Sequence, residues 1–99
     1  MAATDRVNVI PGDNFRVWSV TTGSAAQLAA MPCIGVLLRS PVSNTANIQI
    51  SYASGFGAGT FGTLAPGESV SLDINDASKI WHKAASGTPT LEVWTLLRS

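Results

Sequence analysis

Charge is scarce in this 99-residue sequence: Asp, Glu, Lys and Arg together make up 12% of it, about half of the ~25% usual for soluble domains. Six basic and six acidic residues cancel to a formal net charge of zero, so little electrostatic repulsion keeps copies of the chain apart. The cations Arg6, Arg16, Arg39, Lys79, Lys83 and Arg98 are scattered, which argues against nucleic acid as a partner because phosphate binding needs them clustered. Cys33 is the single cysteine, excluding an intrachain disulfide and a thiolate metal set. Between Pro32 and Ile34 it reads as a small buried hydrophobe. The longest apolar-leaning run, Leu28 to Leu38, is too short to cross a bilayer and is broken by Pro32, so no membrane partner is expected. The first residues, MAATDRVNVIPGDN, show no basic segment followed by an apolar core, and the expectation is a soluble protein made in a cytoplasm.

What is present is β-patterning. From Gly62 to Lys83 the chain reads turn, strand, turn, strand: Pro66-Gly67 is a turn dipeptide, and Val70, Leu72 and Ile74 alternate with Ser69, Ser71 and Asp73. Asn75-Asp76-Ala77-Ser78 forms a polar break before Ile80-Trp81-His82-Lys83. Turn signals recur every eight to twelve residues along the rest of the chain, the spacing of a sandwich or small barrel. Val7 to Ile10 reads as a short edge strand, and Phe15 to Thr22 as a strand rich in aromatic and β-branched residues. Ser24 and Gln27 have capping-box spacing, yet a helix there would be barely two turns long before Pro32, so Ala26 to Ala29 reads as a short strand. Cys33 to Ser40 is apolar on both faces, as in a central strand. Ala46 to Tyr52 alternates with Ile48, Ile50 and Tyr52 on one face. Ala84 to Pro89 reads as a last hairpin loop before a closing strand, Thr90 to Arg98. The expected fold is all-β: one domain over residues 1–99, a β-sandwich or jelly-roll-like barrel of about seven to eight short antiparallel strands. Residues 1–14 form a possible N-terminal arm.

In order along the chain stand Ala26-Gln27-Leu28, Pro32-Cys33 leading into a strand, Asn44-Thr45, Ile48-Gln49-Ile50, Leu64-Ala65-Pro66-Gly67-Glu68-Ser69-Val70 and Asp76-Ala77-Ser78-Lys79-Ile80-Trp81. This series, spanning roughly Ala25 to Leu97, resembles small all-β virion structural proteins of tailed bacteriophages, of the capsid decoration (cement) or head-fibre type. The resemblance implies a sandwich or jelly roll on a capsid surface in the virion, often trimeric, with the major capsid protein lattice as partner, no cofactor and no enzymatic activity. The chain departs from the pattern at Ser51-Tyr52-Ala53-Ser54-Gly55, where such proteins often carry Val-Gly. An alternative use of the same scaffold is a glycan- or receptor-binding module of a tail or fibre.

No catalytic set is recognisable. His82, the single histidine, has no sequence context fixing a serine and Asp73 or Asp76 around it, and it reads as a half-exposed strand residue. His82 and Cys33 are two zinc ligands without a third. Asp73, Asn75 and Asp76 are oxygen donors of the calcium type, but they lack EF-hand spacing and read as a polar turn bonding its own backbone. Gly55-Phe56-Gly57-Ala58-Gly59-Thr60 has no Lys or helix after it and reads as a contact loop, not a phosphate cradle. The candidate interface or ligand-stacking residues are aromatic: Trp18, Trp81, Trp94, Phe56 and Phe61. If Phe15 and Val17, Ile80, and Leu91 and Val93 line the core, alternation places the three tryptophans on outer faces as interface anchors or sugar platforms. In the other reading, one or two of them fill the core.

Overall fold

The computed structural model describes residues 15–57 and 59–97. Within them lie eight strands: β1 (Phe15–Thr21), β2 (Ala26–Gln27), β3 (Gly35–Arg39), β4 (Ile48–Ser51), β5 (Phe61–Leu64), β6 (Ser69–Leu72), β7 (Trp81–Ala84) and β8 (Thr90–Leu96). They form two four-stranded antiparallel sheets, ordered β1-β8-β3-β6 and β2-β7-β4-β5. This is a two-sheet jelly roll. Of the consecutive strands, β4 and β5 alone pair as a hairpin, and every other connection carries the chain from one sheet to the other. The segment between Ala84 and Pro89 is therefore a crossing between sheets, not the hairpin loop expected, because its two strands bond to different neighbours. The expected edge strand at Val7 to Ile10 and the proposed arm lie outside the described residues.

The core sits between the sheets, where alternate residues of each strand meet. Leu91 and Val93 of β8, Val36 and Leu38 of β3, Ile48 of β4, Leu64 of β5 and Ile80 just before β7 are buried there. β8 owes its central position to this alternation: Leu91, Val93 and Thr95 point inward while Glu92, Trp94 and Leu96 point out. β4 ends at Ser51, and Tyr52, expected on the buried row, is 76% exposed. The polar break before β7 is a 3-10 turn, Ala77–Lys79, capped by the Asp76 side chain. The Pro66-Gly67 turn joins β5 to β6 across the sheets, with Gly67 at φ 90°. Its N–H donates to the Ser40 carbonyl at 2.6 Å.

Where β3 ends, a side chain replaces backbone. After Arg39 pairs with Glu92, Pro41 cannot continue the ladder along β8. The Asn44 carboxamide takes the position instead: Nδ2 donates to the Thr90 carbonyl at 2.8 Å and Oδ1 accepts from the Thr90 N–H at 2.9 Å. Nδ2 also donates to Ser40 Oγ at 2.9 Å.

Candidate interface faces

The strand registers assign the aromatic residues to opposite sides of the molecule. On the outer side of β1-β8-β3-β6, Trp94 stands between Val17 of β1 and Leu37 of β3, with Phe15 and Leu96 in the adjoining pair. The Phe15 and Trp94 rings stack with centroids 5.9 Å apart and an interplanar angle of 13°, within the offset-stacked range. Phe15 and Val17 are 39% and 44% exposed. An apolar strip thus runs across the outer face of this sheet. One end is closed by charge: Arg39 Nη1 lies 3.2 Å from Glu92 Oε1, and the same oxygen accepts a 2.8 Å hydrogen bond from Trp94 Nε1. The Trp94 bond, with the Arg39 bond second, holds the Glu92 carboxyl below its ordinary range. Trp94 is fixed on both sides before anything docks on it.

Trp18 lies on the other side of β1. It pairs with Val93, a fully buried inward residue, and packs with Val20 against the core. Of the two readings open for Trp18, the structure takes the one in which it packs on the core, with Phe15 and Val17 on the outer side. Both faces of this strand carry apolar residues, and the register with β8 decides between them.

The outer side of β2-β7-β4-β5 carries a second aromatic set. His82 and Ala84 point inward from β7, so Trp81 and Lys83 point out. Trp81 pairs with Gln27 on one side and Ser51 on the other, and Ser51 pairs with Phe61. The β4–β5 loop folds back over this face. Ser51 Oγ donates to the Thr60 carbonyl at 2.8 Å, and the Phe56 ring meets Phe61 at a centroid distance of 6.0 Å. Lys83 Nζ sits 5.9 Å from the centre of the Phe56 ring, a cation-π contact. Trp81, Phe61, Phe56 and Lys83 are thereby gathered on one face by three strands and a loop.

The remaining candidates are structural in their contacts. His82 is buried, not half-exposed, because its neighbours on the inward row are core residues; its Nδ1 lies 3.1 Å from Oγ1 of the fully buried Thr22. Burial holds its pKa below the ordinary 6.5. Asp76 Oδ1 accepts from the Ser78 N–H at 2.9 Å and the Met31 N–H at 3.0 Å, bonds that lower its pKa, that from Ser78 most. Both oxygen lone pairs of that atom are spent on backbone, which is the capping role of an Asx turn. Cys33 is buried, its thiol pKa pushed up by desolvation, with Sγ donating toward the Ile74 carbonyl at 3.5 Å. Among the described residues no three His, Cys, Asp or Glu gather as a metal site, and no helix is long and apolar enough to cross a membrane.

A cleft of about 390 Å³ opens between the β5 and β6 edges, lined by Ile50, Gly62, Leu72, Ile74, Lys79 and Ile80 among others. Gly62 occupies an inward position opposite Ile50, and its missing side chain leaves the gap: a Cβ added there would meet nothing within 4 Å.

No protein-family model matches the chain, and no curated protein matches it. Among solved structures, the chain is similar to a cupin superfamily protein from Desulfitobacterium hafniense DCB-2, with a TM-score of 0.56 and 11% identity, covering 93% of this chain and 75% of the other. At that identity the likeness concerns the fold alone, and it agrees with the two-sheet topology above. A protein from Bacillus endospore appendages, described as forming disulfide-linked pili, matches with a TM-score of 0.43 and 15% identity over 93% of this chain and 100% of the other.

Proposed function

We propose that this chain is a non-enzymatic structural subunit of a bacteriophage virion, a decoration protein that binds the capsid surface and self-associates, with a trimer favoured. The observation that carries the reading is the outer face of β1-β8-β3-β6. Phe15, Val17, Leu37, Trp94 and Leu96 lie side by side there, flanked by the Arg39–Glu92 pair. An apolar strip with a polar end has the form of an interface core and its rim. The zero net charge removes the repulsion that would oppose packing many copies on a shell. The resemblance of the strand series to phage virion proteins supplies the particular assembly, and eight-stranded jelly rolls are common in viral capsid domains. Such a subunit stabilises its assembly by mass action: each buried contact lowers the free energy of the bound state and raises the temperature at which the shell fails.

Light scattering and co-sedimentation with purified capsids of the phage encoding the chain test this reading. The expected result is a discrete oligomer that sediments with capsids. Trp94→Ala should weaken capsid binding by about thirtyfold, the effect of losing an interface hot spot of ~2 kcal/mol. A chain that stays monomeric at high concentration and remains in the supernatant with capsids present overturns it.

A further inference from the structure

The outer face of the opposite sheet has a different chemistry, and we propose that it binds a polysaccharide carrying carboxylate groups, such as a uronic-acid polymer. Trp81 and Phe61 lie in one row across the sheet, separated by the single strand β4. Two strand spacings put their backbones about 10 Å apart. Ser51, which stands between them, is buried, and its Oγ donates to the Thr60 carbonyl of the β4–β5 loop. Trp81 and Phe61 are half-buried, and an aromatic ring that reaches the surface stacks against the C–H faces of sugar rings while leaving hydroxyls in water. The next row supplies polar groups: Lys83 pairs with Gln49, and Gln49 with Thr63.

Charge complementarity selects the acidic class. The outward positions of the four strands are Gln27, Gln49, Ser51, Phe61, Thr63, Trp81 and Lys83, with no carboxylate among them. Lys83 is exposed and rests over the Phe56 ring, and among the described residues the ion pair formed is Arg39–Glu92, on the other sheet. The ammonium therefore lies on the outer face beside the Phe56 ring, placed to pair with a sugar carboxylate. The Phe56 contact holds it there by a cation-π attraction instead of by a neutralising anion. A neutral glycan would gain the stacking and not the ion pair; a simple polyanion would gain the ion pair and not the stacking.

Affinity electrophoresis of the full chain through gels containing polygalacturonate, neutral dextran or dextran sulfate tests the assignment. Polygalacturonate should retard the chain most. Trp81→Ala should weaken that retardation by about tenfold or more, as expected for an anchoring tryptophan. Lys83→Gln, an exposed substitution that leaves the core untouched, should remove the preference for polygalacturonate over dextran. Circular dichroism confirms that each variant retains the fold. Absence of retardation by polygalacturonate, equal retardation by dextran sulfate, or retardation unaltered in folded Lys83→Gln overturns the proposal. Loss of self-association in Trp81→Ala without any glycan effect also overturns it, assigning the face to a second copy.

Discussion

Removing the Asn44 side chain tests the idea that one carboxamide completes the β8 ladder where proline forbids a strand. Asn44→Ala deletes three hydrogen bonds, two to the Thr90 backbone N–H and C=O and one to the buried Ser40 hydroxyl. A typical bond contributes ~0.5–1.5 kcal/mol net, and a half-buried Thr90 N–H and C=O left without partners recover only part of that from water. The expected loss is about 2–3 kcal/mol. For a domain of this size each kcal/mol corresponds to ~4–8 °C, so the midpoint should fall by about 10–20 °C. Urea titration followed by tryptophan fluorescence measures the free energy directly, with an unchanged m-value expected because the unfolded surface is the same. Asn44→Asp separates bonding from packing. It keeps the acceptor for the Thr90 N–H but sets a carboxylate oxygen against the Thr90 carbonyl. At neutral pH it should therefore be at least as unstable as Asn44→Ala, and it should recover partly on acidification, when a protonated carboxyl can donate. A loss under 0.5 kcal/mol in Asn44→Ala, or wild-type stability of Asn44→Asp at pH 7, refutes the ladder role.

Two further perturbations address the core and the cleft. His82 is buried and its folded pKa lies below 6.5, so above pH 6.5 both states are neutral and it adds no pH dependence. Below 6.5 the unfolded chain takes up a proton that the folded chain resists, and stability falls with pH until the folded pKa is reached. Melting temperature should thus begin to decline as pH falls below 6.5, before Asp76 and Glu92 lose their contributions, and His82→Gln should abolish that first decline. Gly62→Val places a β-branched side chain on β5 with open space before it, and should raise stability by about 1 kcal/mol in the same urea assay; a destabilised protein would mean that the position is not open to the cleft.

Most of the strands are legible in the sequence because alternation is a local property; β5, Phe61–Leu64, falls where loop and turn are expected, because Gly62 interrupts the alternation. The clearest case is β8: burial alternates along its seven residues, and polarity follows it from Thr90 to Val93. Pairing was not legible, since all but one of the chain connections cross between sheets and no local signal names a strand's neighbour. The ambiguity at Trp18 follows directly. Phe15 and Val17 offer one apolar face, Trp18 and Val20 another, and only the register with Val93 and Trp94 chooses. His82 was hidden for the same reason. Its neighbours Trp81 and Lys83 differ so much in polarity that no period-2 pattern forms, and the Thr22 hydroxyl that satisfies it lies 60 residues away. Of the candidate aromatic residues, Trp94 and Trp81 can be put on a face by alternation. That Phe56 joins Phe61 and Lys83 depends on how a glycine-rich loop folds back, which composition does not encode.

The two proposed surfaces are compatible because they belong to different sheets. In a sandwich the inner faces are ~10 Å apart and the outer faces look in opposite directions. A subunit seated on a shell through the Phe15–Trp94 strip would hold the Trp81–Phe61 face toward solvent, where a polysaccharide can reach it. The two tryptophans share no hydrogen-bond partner, and a packed core separates them. Substitutions at such independent sites should act additively. Trp94→Ala should weaken capsid binding without altering glycan retention, and Trp81→Ala should do the reverse. If either substitution disturbed both readouts in folded protein, the functions would share one surface, and the assignment of one role to each sheet would fail even though each binding activity stood.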